Sequence, residues 1–268
     1  MSDEVYHPSW KNLNKYFIYL NYFWEYIKHS DFKSLKASLG YVLNNKLPQN
    51  EYQTKSGMGK FSIRKNSTDF QFINYAYEKS IKDYLLKHID SFDVFIDVGA
   101  CIGEYCIWLA KQGKQCIAIE PVNFAALQKN ISLNNLNDKI QAFNYGVGNV
   151  KERVYFMIPD DVKSSSHIDR NETKDPNVDI ETFDALSRQF NLNINDRIIL
   201  KLDVEGMEVE AIEGAKEFIK TYPNLRIIYE HFPEDGYRND KALSAITNFH
   251  INDIDKVNRI ASKNPYST

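Results

Sequence analysis

An acidic residue and two glycines stand close together in the segment DVGACIGEY, which begins at Asp97. The apolar residues 94–96 precede it, and a short apolar run closed by glycines predicts a buried parallel strand. Gly99 and Gly103 lack a Cβ, so the backbone can turn tightly there and a ligand can approach it. Dinucleotide-binding turns have the spacing G-x-G-x-x-G, and an acid before the first glycine would repel a pyrophosphate. The segment instead suits a ligand with a cationic head, such as the amino and sulfonium groups of S-adenosylmethionine, or it is an ordinary strand-to-helix turn.

A second acid, Glu120, ends the next predicted strand and is followed by Pro121. In nucleotide-binding βαβ units, an acid about 20 positions beyond the glycine turn accepts hydrogen bonds from the ribose. One carboxylate can accept bonds from both vicinal hydroxyls. The loop after the third predicted strand lies where such folds contact the adenine base of a bound nucleotide. Asn144 and Val147 are therefore candidates for contacting the adenine. The alternative for Glu120 is a solvated charge at a strand end.

A lysine and two acids, Lys201, Asp203 and Glu205, come at the end of another apolar strand, in the segment IILKLDVEG. Catalytic groups of open α/β sheets gather at the carboxyl ends of strands, and buried charges are costly unless they are paired or used. The next strand ends on Glu230 and His231. A histidine there can accept a proton near neutral pH, or it is structural. Carboxylates of this set are oxygen ligands of the kind that metals bind, but no dedicated ligand spacing is present and we expect no metal.

Strands and helices alternate through this part of the chain, which predicts an α/β fold with a parallel sheet. Helices are expected at 105–111 and 124–135, between the strands described above. Residues 150–196 resemble an insertion, with strands at 152–158 and 178–183. No G-x-S-x-G nucleophile motif is present, so nothing indicates serine hydrolase chemistry.

Residues 1–48 are predicted to be a helical extension, and residues 49–268 the catalytic domain. A second, shorter helix is expected from Asp31 to Asn44. The first helix carries an apolar stripe at three- and four-residue spacing, formed by Trp10, Leu13, Phe17, Leu20, Trp24 and Ile27. Such a stripe packs on its own catalytic domain or on a partner subunit, or it touches a membrane interface or a lipid-linked acceptor.

The composition is that of a globular protein, with 43% hydrophobic residues and a net charge of −3. The acidic balance does not suggest a nucleic-acid partner. The three cysteines have no C-x-x-C spacing, which favours a reducing compartment over a disulfide framework. We see no signal-peptide pattern and no apolar run of bilayer length. The expected location is the cytoplasm, either free or peripheral at the inner face of the membrane.

Four segments together resemble the FkbM-type S-adenosylmethionine-dependent methyltransferases: DVGACIGEY, the IEP at 119–121, KLDVEGMEVEAIEGA at 201–215 and the YEHF at 229–232. The resemblance covers roughly residues 61–232 and leaves residues 1–48 outside. It implies a Rossmann-like class I methyltransferase fold, with a mostly parallel seven-stranded sheet and helices on both faces. It also implies S-adenosylmethionine as the methyl donor, S-adenosylhomocysteine as the product, and a hydroxyl oxygen as the acceptor.

By position, the resemblance assigns a set of residues to the cofactor: Asp97, Gly99, Ala100, Cys101, Gly103, Tyr105, Glu120, Pro121, Asn144, Val147 and Asp203. A hydroxyl must lose its proton as it is methylated, and we expect Asp203 or His231 to be the base. Lys201 and Glu205 are expected to organise the site. Cys101 departs from the family, which usually has asparagine at this position.

The expected function is O-methylation of a sugar in a glycan or glycoconjugate. The expected acceptor bears a hydroxyl and is a glycan or a lipid-linked saccharide. A secondary-metabolite O-methyltransferase, an N-methyltransferase of RNA or protein, and a non-catalytic S-adenosylmethionine-binding domain are the alternatives. N-methylation of bases typically needs an N-P-P-Y-like turn where this chain has D-V-E-G, and an NAD-dependent oxidoreductase is disfavoured by the glycine spacing. No nucleic-acid partner is expected, and the N-terminal helices are expected to mediate a peripheral membrane contact or a homodimer.

Overall fold

The computed structural model describes residues 14–157, 167–168, 175–204, 206–232 and 236–264. The chain divides into two compact units, the first ending at Lys79 and the second beginning at Ser80. The predicted boundary between residues 48 and 49 therefore falls inside the first unit. Assignment of residues 49–79 to the catalytic domain stays a prediction.

The first unit contains helices α1 (Asn14–Lys28), α2 (Phe32–Asn44) and α3 (Asp69–Phe72) and a hairpin of strands β1 (Tyr52–Lys55) and β2 (Lys60–Ile63). The predicted second helix is confirmed: its N-cap Asp31 accepts a hydrogen bond from the backbone of Ser34 at 3.1 Å. The hairpin belongs with this unit because it is bonded to α2. Lys33 donates to the carbonyl of Gln53 at 3.0 Å, and Thr54 donates to Asp31.

The second unit begins with helix α4 (Lys79–Lys87), which crosses the boundary between the units. The alternating elements that follow are β3 (Val94–Val98), α5 (Glu104–Lys111), β4 (Gln115–Ile119), α6 (Phe124–Leu133) and β5 (Ile140–Phe143). After the insertion come β11 (Ile198–Leu202), α8 (Glu208–Glu213), α9 (Lys216–Thr221), β12 (Leu225–Glu230), α10 (Arg238–Ile246), β13 (His250–Asp253) and β14 (Asn258–Ser262).

These strands form one seven-stranded sheet in the order β13-β14-β12-β11-β3-β4-β5. The five strands from β12 to β5 are parallel, and β14 runs antiparallel to both of its neighbours. Strands β3 and β11 are buried along their whole length, which explains why all their residues except Asp97 and Lys201 are apolar. The predicted α/β class with a mostly parallel seven-stranded sheet is confirmed.

The order of the strands creates a switch point between β3 and β11. From β3 the chain builds outward through β4 and β5, and it then crosses to the other side of β3 to form β11. Ligands of open α/β sheets bind outside the carboxyl ends of the strands at such a point. The glycine turn follows β3 directly, so it lies at this place.

The insertion and the short strand before it form smaller sheets. Strands β6 (Gly146–Gly148), β7 (Glu152–Val154) and β10 (Val178–Thr182) make a three-stranded sheet, in which β10 is central. Strands β8 (Phe156–Met157) and β9 (His167–Ile168) pair antiparallel, and helix α7 (Phe183–Ser187) follows β10. The strands predicted in this stretch are present as β7, β8 and β10.

Candidate active site

The carboxyl ends of β3 and β11 lie side by side. Asp97 is paired in register with Lys201, and Val98 with Leu202. The backbone of Asp203 then donates to the carbonyl of Val98 at 3.0 Å. The segments that begin at Asp97 and at Lys201 therefore meet at one edge of the sheet. Their positions at the ends of parallel strands predict this meeting.

Gly99 is required by this meeting of strands. Its φ is +87°, and a Cβ placed on it would lie 1.8 Å from the carbonyl oxygen of Asp203. Gly103, with φ +86°, opens helix α5, and its Cβ would lie 2.5 Å from a methyl carbon of Leu127. Atoms of the protein, and not only the approach of a ligand, therefore require glycine at these two positions.

Glu120 ties the glycine turn to the loop that follows β4. Its Oε2 accepts the backbone N–H of Cys101 at 2.9 Å, and its Oε1 accepts those of Val122 and Asn123, both at 2.7 Å. The side chain is buried. A carboxylate has about four acceptor positions. A ribose diol can therefore bind Glu120 only by sharing or replacing these bonds, and its predicted ribose role stays a prediction.

Lys201 and Asp203 form an ion pair in which the lysine Nζ donates to Oδ2 at 2.6 Å. The lysine side chain is 6% exposed and the aspartate side chain 30% exposed. Burial of the ammonium group is costly without a partner, so the pair fixes the carboxylate of Asp203 at the open edge. The arrangement holds a hydrogen-bond acceptor where a ligand can reach it.

Tyr105 lies at the centre of a buried group of charges. The Nζ atoms of Lys201 and Lys82 each lie 5.1 Å from the centroid of its ring. The ring also stacks on Phe95, with centroids 6.1 Å apart. Ammonium groups at this distance from an aromatic face are attracted by its π electrons. Tyr105, predicted as a cofactor residue, is 1% exposed and supports the two lysines.

Two members of this charged group, Lys82 and Glu104, were not predicted from the sequence. Lys82 is fully buried in α4, and Glu104 is buried in the first turn of α5. Burial raises the pKa of the Glu104 carboxyl to about 8, with the negative charge of Asp97 adding to the shift and both lysines opposing it. Among the described residues, Oε2 of Glu104 has no hydrogen-bond partner. The available signal was Lys82 itself, three residues before Leu85 on a helix face that otherwise carries apolar side chains.

His231 lies beyond the end of β12, the strand next to β11. It is buried, its backbone donates to the carbonyl of Val257 at 2.7 Å, and its ring stacks on Tyr237 with centroids 4.8 Å apart. The structure thus brings His231 to the same edge of the sheet as Asp203 but buries its ring, and its predicted role as a base stays a prediction. Glu205 lies outside the described residues.

The remaining predicted cofactor residues differ in their surroundings. Ala100 is buried, and its backbone donates to the carbonyl of Ile119 at 3.1 Å. Pro121 is half-buried beside Glu120, and Asn144 is exposed after β5. Val147 is buried in the hydrophobic core. A contact between Val147 and a ligand would need a change in that packing, and all four contacts stay predictions.

Cys101 has a backbone conformation that is unusual for its residue type. Its φ is +46°, in the left-handed region, where asparagine is several-fold enriched among non-glycine residues. The side chain is half-buried, and Asn123 donates to its sulfur at 3.9 Å. Cys106 and Cys116 are buried, and all three cysteines are free. The backbone conformation gives a physical reason for the asparagine that the resemblance leads one to expect here.

Within the described ranges, no cluster of three histidine, cysteine, aspartate or glutamate side chains is arranged to hold a metal ion. The set considered from the sequence was Asp203, Glu205 and Glu230, and Glu205 is outside those ranges. None of the helices that the structure describes combines the length and apolar character needed to cross a bilayer.

The mostly parallel seven-stranded sheet with its helices is the class I methyltransferase fold. The family model described as Methyltransferase FkbM domain matches residues 97–259, which is more than half of the chain. The chain belongs to the FkbM methyltransferase family. No curated protein matches the sequence significantly.

Several solved structures are similar to the chain. Methyltransferase FkbM from Methylobacillus flagellatus KT is 22% identical, with a TM-score of 0.45 over 64% of this chain and 44% of that one. A tRNA (uracil-54, C5)-methyltransferase from Pyrococcus abyssi is 10% identical, with a TM-score of 0.42 over 79% and 43% of the two chains. A ribosomal protein L11 methylase from Lactobacillus delbrueckii is 12% identical, with a TM-score of 0.43 over 70% and 79%. The chain thus spans less than half the length of the first two, and none of their acceptors is carried over to it.

Proposed function

We propose that this chain transfers a methyl group from S-adenosylmethionine to a hydroxyl of a sugar, within a glycan or a glycoconjugate. The observation that carries the proposal is the Lys201–Asp203 ion pair, which lies beside the glycine turn at the switch point of the sheet. It occurs in a chain of the FkbM methyltransferase family. A methyltransferase acting on a hydroxyl needs a fixed acceptor for the departing proton, and this pair supplies one.

The charges around Tyr105 fit a cationic ligand. The group contains the carboxyls of Asp97, Glu104 and Asp203 and the ammonium groups of Lys82 and Lys201. With every member ionised, three negative charges face two positive ones. Burial is the main cause of the raised pKa of Glu104, and the negative charge of Asp97 adds to it. While Glu104 keeps its proton, the other two carboxylates balance the two ammonium groups, and its ionisation creates the excess.

S-adenosylmethionine supplies an activated methyl group on a positively charged sulfur, together with an α-ammonium group. We assign Asp97 and Glu104 to the cationic methionine end and Glu120 to the ribose. Binding of the cation favours the ionised form of Glu104, since it restores the balance of charge in the group. The backbone bonds that Glu120 accepts also let it fix the glycine turn against the ligand.

Asp203 is the better placed of the two predicted bases. Its carboxylate is part exposed and is oriented by Lys201, whereas the ring of His231 is enclosed by its stack on Tyr237. A hydroxyl that donates to Asp203 would be held at the edge of the sheet where we place the methyl donor. As the oxygen–carbon bond forms and the carbon–sulfur bond breaks, the hydroxyl proton passes to Asp203. Alignment of the reacting atoms contributes about 7–11 kcal/mol in reactions of this kind.

The sugar acceptor rests on the resemblance to the family, and a labelling experiment tests it directly. The test is transfer of labelled methyl from S-adenosylmethionine into an extract of the source cell, separated into glycan, lipid-linked, RNA, protein and small-molecule pools. We expect label in a sugar-containing pool, in a linkage that is stable to base. Label confined to RNA or protein would overturn the acceptor while leaving the methyl donor in place.

The role of Asp203 is tested with Asp203→Asn in the same assay. We expect turnover to fall about 100- to 10,000-fold, with little change in the affinity for S-adenosylmethionine. The matched control is Asp179→Asn, which removes another ion-paired aspartate whose partner Arg153 lies at 3.0 Å in an exposed position. Full turnover by Asp203→Asn and loss in His231→Ala would move the base to His231.

A further inference from the structure

The apolar stripe of α1 faces outward. Phe17, Leu20, Trp24 and Ile27 are 46–67% exposed, although their three- and four-residue spacing is that of a helix face packed on a core. The opposite face of α1 makes the contacts within its unit. Tyr26 is 1% exposed and donates to the carbonyl of Phe70 at 2.7 Å, and Asn74 donates to the carbonyl of Tyr22 at 3.0 Å.

Helix α2 continues this pattern. Phe32, Leu39 and Leu43 are 37–73% exposed, at positions that return to one side of the helix. We call these three residues and the four of α1 the apolar face. Seven large apolar side chains exposed on two helices that contact each other are unusual outside interaction sites, and Trp24 is one of them.

The exposed charges around the apolar face have one sign. From residue 17 to residue 46 every exposed charged side chain is a lysine, namely Lys28, Lys33, Lys36 and Lys46. Of the two acids in this stretch, Glu25 is part-buried and forms an ion pair with Lys28 at 3.8 Å, besides contacting His29. Asp31 is buried as the N-cap of α2, so Lys33, Lys36 and Lys46 have no exposed acid within this stretch to offset them.

We propose that the apolar face binds the surface of an anionic lipid bilayer. Exposed aromatic and aliphatic side chains that insert between headgroups, with lysines beside them, are the pattern of helices that lie in a membrane interface. Lys28 follows Trp24 by four residues, and Lys36 lies between Phe32 and Leu39 along α2, so these lysines flank the inserting groups. Anionic headgroups neutralise them.

A second copy of the chain fits the apolar face less well. Two copies related by a two-fold axis would bring equal sets of lysines together.

The test measures binding of the full-length protein to phosphatidylcholine vesicles with and without phosphatidylglycerol, by flotation. We expect binding only when the anionic lipid is present, and weaker binding as salt increases. The double variant Leu20→Ser/Trp24→Ser should lose binding at least tenfold. The matched control Val150→Ser/Ile194→Ser changes two residues that are equally exposed, at 53% and 51%, in the second unit, and it should bind as wild type does.

A second variant tests the charges without touching the apolar groups. Lys28→Gln/Lys36→Gln should weaken binding to anionic vesicles about fivefold for each lysine. Wild-type protein that binds neither vesicle, binds both equally, or is unaffected by Leu20→Ser/Trp24→Ser overturns the proposal. A dimer in solution that dissociates with Leu20→Ser/Trp24→Ser, without any vesicle binding, would assign the apolar face to a second copy. These outcomes are independent of methyl transfer, since no step of the assay requires turnover.

Discussion

The carbonyl oxygen of Asp203 stands where a side chain on Gly99 would begin, 1.8 Å from the ideal Cβ position. The obstruction is backbone of the neighbouring strand end and cannot rotate away. Gly99 lies in the glycine turn after β3, and Asp203 lies in the segment after β11. These are the two segments in which the sequence predicts site residues. Their contact therefore couples the glycine turn to the Lys201–Asp203 pair.

Gly99→Ala should lower the free energy of unfolding by about 2–4 kcal/mol, because strain from the left-handed φ adds to the steric clash. Gly113→Ala isolates the first contribution, since Gly113 has φ +91° but nothing within 4 Å of its Cβ position. We expect it to cost only about 1–2 kcal/mol. Denaturant unfolding of both variants measures the difference, and equal losses would show that the Asp203 clash is relieved elsewhere.

The raised pKa of Glu104 predicts a stability that depends on pH. Between its ordinary value of 4.5 and about 8, the folded state keeps a proton on Glu104 that the unfolded state has lost, so stability falls as pH rises through this window. Glu104→Gln removes the ionisation and should flatten the profile, so the variant gains relative to wild type as pH rises to 8. Thermal unfolding at pH 5 and pH 8.5 measures this.

Asp93 serves as a control because its pKa is shifted downward, opposite to the pKa shift of Glu104. Hydrogen bonds from Arg197 lower its pKa to about 2, so its contribution is present above its ordinary value and is lost only in acid. The pair is exposed, so Asp93→Asn should cost less than about 1 kcal/mol at neutral pH. Identical pH profiles for wild type and Glu104→Gln would show that Glu104 titrates normally.

Binding of S-adenosylmethionine should release a proton from Glu104. A cation bound beside this carboxyl lowers its pKa, so affinity rises with pH up to about 8. Calorimetry in buffers of different ionisation enthalpy counts the protons released. Glu104→Gln should bind about tenfold more weakly and lose the pH dependence, and an unchanged affinity would place the cationic end elsewhere.

Cys101 should be the reactive cysteine, since it is half-buried whereas Cys106 and Cys116 are buried. Alkylation at neutral pH should modify Cys101 first, and S-adenosylhomocysteine should slow it if the ligand covers the glycine turn. Peptide mapping by mass spectrometry identifies the site, and Cys101→Ser is the control. Protection that is equal at all three cysteines would indicate a general change in stability instead.

Cys101→Asn tests the backbone at the same position. Asparagine tolerates the left-handed conformation better than cysteine, so the variant should gain up to about 1 kcal/mol in the free energy of unfolding. Cys101→Ala removes the thiol but keeps an unfavourable residue type, and it should show no such gain. A loss of stability in the asparagine variant would mean that the contact between Asn123 and the sulfur outweighs the strain.

The parallel strands and the switch point were predictable because their signals are local. Apolar runs that end on glycines or acids define β3, β4, β11 and β12, and connectivity then brings the carboxyl ends together. The surroundings of Glu120 were not predictable. Its acidity and position suggested a ribose, but the fold brings three backbone N–H groups to the same carboxylate.

The sequence by itself determined the family, the α/β sheet and the meeting of Asp97 with the Lys201–Asp203 segment, because these follow from residue order along strands. Only the tertiary structure decided which side of α1 packs inward. The stripe that includes Phe17 and Trp24 has the spacing of a packed face but is exposed, because the opposite face with Tyr26 makes the contacts within the unit. It also decided that Lys82 and Glu104 join the charged group around Tyr105. That assembly depends on contacts between helices α4 and α5 and strand β11, which are distant in sequence and have no local pattern of their own.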